Sequence, residues 1–127
     1  MKYFALCLTL IFSGLFLSPP LLAHHGEVNY DTEKVVSVKG TVTDFHFVNP
    51  HCVVEFDVKD ENGKIHKWQG EFSNPSQLSR QGWTAASLEA GDKFTITGNP
   101  AKNNAPAIHV ARIRMPNGQE VKVDGGR

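Results

Sequence analysis

From Val35 to Met115 the apolar residues recur mostly at every second position, and the period turns helical only once, after Asn74-Pro75. Alternation of this kind marks short, half-buried strands. It restricts the chain to a mainly β fold with one helical insertion. In the first run Val36, Val38 and Val42 share one phase, while Phe45 and Phe47 fall on the other. A phase switch inside one long strand predicts a bulge or sharp coil between Gly40 and Asp44. A second strand carries Val54, Phe56 and Val58, Asp60-Glu61-Asn62-Gly63 supplies a hairpin turn, and a third holds Trp68 and Phe72 in register.

The one change of period has its own start and stop signals. Asn74 suits a helix cap, Pro75 suits the first helical position, and Gly82 supplies the stop, with Thr84 to Glu89 expected to add another helical turn. Gly91-Asp92 then turns into a fourth strand through Phe94 and Ile96. Gly98 to Pro106 reads as a loop, and Ala107 to Met115 as a fifth strand. After the Pro116-Asn117-Gly118 turn, Val121 to Val123 is expected to fold back as a tail strand. Three strands, a short helix and two strands, with a coiled first strand, is the order of an OB-fold. The expectation is a small OB-fold-like barrel of five to six strands with its helix between strands 3 and 4. A small β-sandwich is the competing architecture.

Ahead of the β region, Met1 to Ala23 reads as a secretory signal: Lys2 near the start, an apolar run from Phe4 to Phe16, Pro19-Pro20, and a small residue at Ala23. The run is shorter than the ~20 residues of a membrane span. No stable membrane anchor is expected after cleavage, and the location expected is the periplasm. The division is signal 1–23, N-terminal arm 24–34 and barrel domain 35–127. Loss of Lys2 with the signal leaves 12 basic and 13 acidic residues. That balance argues against a nucleic-acid partner. Cys7 leaves as well, so Cys52 stays as a lone thiol with no internal disulfide to form.

With these segments in place, the chain is similar to a family of small exported bacterial proteins of uncharacterised function. The resemblance is carried by Ala23-His24-His25, Val38-Lys39-Gly40-Thr41-Val42, Asn49-Pro50-His51, Asp57-Val58-Lys59-Asp60 with Gly63-Lys64, Arg80-Gln81-Gly82-Trp83-Thr84, and Gly91-Asp92 with Thr97-Gly98. It covers nearly all of the chain after the signal and departs at Cys52, where the family's pattern has serine or a similar residue. The resemblance implies the organisation just described and brings no activity with it.

Chemistry must therefore come from the residues. All six histidines, His24, His25, His46, His51, His66 and His109, follow the signal. Cleavage after Ala23 makes His24 the first residue, whose amine and imidazole together chelate a divalent ion, with copper the best geometric match. A cut one residue earlier puts histidine third, which also wraps copper or nickel. A solvated arm with no ligand is the plain alternative. Asn49-Pro50-His51-Cys52 lies between strands 1 and 2, where an OB-fold presents a ligand-binding loop. There Pro50 stiffens the turn under His51. His46, opposite in phase to Phe45 and Phe47, is placed to face the same rim. The competing readings have His51 bonded to backbone and Cys52 packed inward with Val54 and Phe56. His66 and His109 read as ordinary strand residues, and Trp68 and Trp83 as packing residues.

No Ser/His/Asp pattern, phosphate-cradling glycine loop or cysteine pair stands out. The function expected is non-enzymatic: a periplasmic protein that binds copper for sequestration or delivery, with His24 and His25 as ligands completed by His51 and then His46. The alternative is a metal-free envelope adaptor that grips a protein or small ligand through the barrel loops.

Overall fold

The computed structural model describes residues 29–123. The signal segment, the cleavage site, His24 and His25 lie outside these residues. The order of elements is β1 (Val36–His46), β2 (Val53–Lys59), β3 (Ile65–Glu71), α1 (Pro75–Arg80), β4 (Lys93–Pro100), β5 (Ala107–Arg114) and β6 (Glu120–Lys122).

One sheet in the order β3-β2-β1-β4-β5-β6 closes on itself where β3 pairs in parallel with β5. This gives the expected five-stranded OB-like barrel, with β6 as an extra strand on the second half of β5. Closure into one sheet replaces the sandwich alternative. It also removes most of the unpaired strand edge that an open sheet of this size would expose.

The sequence phase switch has a direct counterpart. Val42 pairs with Phe56 and Asp44 with Glu55, so Thr43 is the extra residue of a bulge. The bulge lets one strand serve two neighbours: Val36 to Thr41 pair with β4, and Thr41 to His46 with β2. On both sides of it the apolar phase faces inward, so Val42 is buried and Phe45 packs against the core. The barrel is filled by Val42, Val54, Phe56, Ile96, Ile108, Val110 and Ile113, all essentially inaccessible. Phe56 meets Phe94 edge to face at 5.2 Å. Gly40 makes the strand crossing possible, because a Cβ there would come within 2.5 Å of the Phe56 ring.

Helix α1 starts as its sequence dictates. Asn74 Oδ1 accepts from the Gln77 backbone N–H at 2.9 Å, Pro75 occupies the first turn, and Leu78 is buried. Asn74→Ala removes that cap and should lower unfolding stability by about 1 kcal/mol in chemical denaturation.

Two expectations are corrected. Thr84 to Glu89 forms turns rather than a helix, because the Ser87 hydroxyl accepts from Thr84 N–H and the Thr84 hydroxyl from Ala86 N–H. Such side chains compete with a helical backbone for its donors. The loop expected from Gly98 begins later, since β4 continues to Pro100 and Ala101 bridges to Tyr30.

Candidate functional site

The stagger of the strands sets His46, Val53, Glu71, His109 and Asn99 side by side in one row of paired residues across β1, β2, β3, β5 and β4, and this row borders the histidine-bearing mouth. Here the β1–β2 loop carries His51, Glu71 closes β3, and His109 lies in the first half of β5. Glu71 and His109 are direct partners in the parallel β3–β5 ladder.

The centre of the site is the Glu71 carboxylate, which takes two bonds. Oε1 lies 2.8 Å from His51 Nδ1, and Oε2 accepts from the Tyr30 hydroxyl at 2.7 Å. Glu71 thereby ties the β1–β2 loop to the N-terminal segment. The Tyr30 ring lies 5.4 Å from that of His109, tilted by 51°. Burial, reinforced by the neighbouring carboxylate, holds the Tyr30 hydroxyl far above its usual pKa. It therefore stays a proton donor to Glu71 throughout the physiological range.

Residues 29–34, the end of the sequence-defined arm, are fastened at this mouth. Lys102 N–H donates to Asn29 C=O and Asp31 N–H to Pro100 C=O, both at 2.8 Å. Asn99 Nδ2 donates to Lys34 C=O at 2.7 Å. The segment behaves as a strap laid over the β4–β5 turn, held by backbone bonds and by Tyr30.

The other histidines are placed as follows. His51 stands above the rim with its side chain 56% exposed, following the cis Asn49-Pro50 peptide. His46 instead approaches Glu55 at 3.3 Å and Asp44 at 3.5 Å. The two histidines thus take separate carboxylates. His66 bonds Asp60 at 2.8 Å across the β2–β3 hairpin and holds that carboxyl below its ordinary pKa. Among the described residues, no three His, Cys, Asp or Glu side chains converge on one ion position.

Cys52 points into the core with no exposed surface, its backbone paired to Ser73 and Phe72. Burial pushes its thiol above the usual range, which disfavours the thiolate that a metal requires.

Tyr30 and Glu71 are not among the sequence candidates, and His109 reads in the sequence as an ordinary strand residue. Tyr30 sits in a stretch without periodicity. Glu71 becomes central only through the pairing of β3 with β5, between residues 38 positions apart, 71 and 109.

A protein-family model described as a family of unknown function (DUF6152) matches residues 15–109. That span includes every histidine of the chain as well as Tyr30 and Glu71. No curated protein sequence matches significantly. Among solved structures, one described as a tRNA fluorescent labeling enzyme aligns at 16% identity with a TM-score of 0.45. The alignment covers 72% of this chain and 20% of that one.

Proposed function

The chain belongs to the DUF6152 family, a family of unknown function, and we propose that it is an exported, non-catalytic protein that binds a transition metal, copper in the first place, for sequestration or delivery in the periplasm. The observation that carries this reading is the His51–Glu71 pair. A carboxylate 2.8 Å from Nδ1 keeps the proton on that nitrogen in the neutral ring. The Nε2 lone pair is then presented in a fixed direction. Carboxylate-oriented imidazoles of this kind are the usual support behind a metal-binding histidine.

The sequence ahead of the strap supplies the other half of the proposal. His24 and His25 precede Tyr30 by six and five residues. Six extended residues reach ~20 Å at most, and the Tyr30 hydroxyl shares its carboxylate with His51. The proposed ligands are therefore His24 and His25, joined by His51. His46, engaged by Glu55 and Asp44, ranks behind it. Imidazole binds metal only when unprotonated, so affinity should fall as the pH drops below the ~6.5 of free histidine.

The test is a native mass spectrum of the exported chain, followed by copper titration. A chain beginning at His24 with one copper is expected. His24→Ala with His25→Ala should abolish that stoichiometric binding, whereas unchanged affinity would sink the arm as the site. Exposed Val48, beside Asn49-Pro50 at 54% exposure, favours the second reading, a metal-free adaptor that grips an envelope protein through this loop. A wild-type chain that ignores added copper, and a partner captured equally well in chelator, are the outcomes that reading requires.

A further inference from the structure

Away from Tyr30, His51, Glu71 and His109, the outer sheet surface forms an open groove of ≈ 870 Å³ between the β1 coil, the start of β3 and the β5–β6 turn. Its charge is one-sided. Lys39, Lys59, Lys93 and Arg114 line it, against a single carboxylate, Asp57, which already lies 3.3 Å from Lys67. Arg114 is shared with Glu120 at 3.0 Å. Among the described residues, Lys39, Lys59 and Lys93 take part in no ion pair.

The ladder fixes how close these cations lie. Lys39 is opposite Thr95, Thr95 is opposite Arg114, and Thr41 is opposite Lys93. Lys39 and Lys93 are therefore diagonal neighbours, ~7–8 Å apart at their backbones. The chain as a whole carries equal numbers of acidic and basic residues, so the cluster comes from placement and not from composition. A concave wall of one sign raises the local concentration of the opposite charge.

One wall is apolar. Ile65, one of three large hydrophobic residues left exposed on the described surface, at 48%, flanks the groove together with Met115 and Pro116. The methylene stems of the lysines extend that surface up to their charged heads. Cations at one edge and a short apolar wall at the other match a ligand with the same two parts.

We propose that this groove binds a single-chain anionic amphiphile as a free monomer, its carboxylate or phosphate head held by Lys39 and Lys93 and its alkyl chain laid along Ile65 and Met115. The site is separate from the histidine mouth and does not depend on metal binding.

Laurate below its micelle concentration is the probe, followed by calorimetry and by amide shifts in two-dimensional NMR. One saturable site per chain is expected, with shifts centred on residues 39–41, 65 and 93–95. Lys39→Glu with Lys93→Glu should weaken binding at least tenfold, and both positions are exposed, so the fold should persist. Ile65→Ser should weaken laurate while leaving any response to acetate unchanged. Dodecyltrimethylammonium bound as tightly as laurate, or laurate binding unaffected by the double charge reversal, overturns the proposal. So does flotation with phosphatidylglycerol vesicles in the absence of monomer binding, which would make the groove a membrane-contact surface.

Discussion

Replacing Glu71 with glutamine should cost the protein 10- to 100-fold in copper affinity while leaving the barrel folded. The substitution keeps the size of the side chain and removes its charge. The amide oxygen can still accept from one partner, but its nitrogen only donates, so the other partner must turn from donor to acceptor, Tyr30 through its hydroxyl oxygen or His51 through Nδ1. With the carboxylate gone, the proton of the neutral His51 ring is no longer confined to Nδ1, and the presented lone pair is lost from Nε2 for part of the time. The tautomer can be read without any metal, from the ¹⁵N shifts of the His51 ring. A wild-type chain with a fixed tautomer and no copper binding would refute the function and leave the geometry standing. Unchanged tautomer and affinity in Glu71→Gln would remove Glu71 from the site altogether.

The second large effect is structural. Gly98→Ala should destabilise the fold by about 3 kcal/mol, near the upper end for overpacking, and it should damage the mouth more than the rest of the barrel. At Gly98 the β4–β5 register shifts, and the strand runs so close to β5 that a Cβ would overlap the His109 carbonyl. That obstacle is backbone, with no side chain free to turn aside. Relief would have to separate the strands just where Asn99, Pro100 and Ala101 seat the strap. Thermal unfolding measures the first consequence. Faster amide exchange at Asp31 and Lys102, whose N–H groups hold the strap, beyond that of the β1–β2 ladder, measures the second. A Gly98→Ala protein with wild-type stability would mean that the β4–β5 register shift can move to another pair.

Particular residues explain why the fold is readable in the sequence and the site only half so. Val42, Phe45, Val54 and Phe56 announce their faces by alternation, and the break in phase between Val42 and Phe45 is itself the mark of the Thr43 bulge. Asn74, Pro75 and Gly82 act within a few bonds of themselves, so their role is local and legible. Strand ends are less so: nothing near Gly98 says that β4 runs on to Pro100, because that extension depends on pairing with Ile108 and His109. His51 stands out through its Asn-Pro context. Its carboxylate does not, because Glu71 looks like any outward residue of an alternating strand until β3 meets β5. Tyr30 is a harder case still, its role resting on contacts with positions 71, 101 and 109. Parallel closure and strap docking are long-range events, and a period-2 pattern carries no information about which distant strand lies alongside.

The way Lys102 holds Asn29 has a practical consequence for any measurement on this protein. Whatever is joined ahead of residue 29 departs from the chain at the histidine-bearing mouth. With the cut proposed after Ala23, a polyhistidine purification tag at the new N-terminus would join the chain five residues ahead of Asn29. It would bring its own imidazoles to the place under test and read as a metal site in every titration. An affinity handle at the other terminus, or one removed so that His24 stands first as proposed, is the form in which copper stoichiometry reports on the molecule itself.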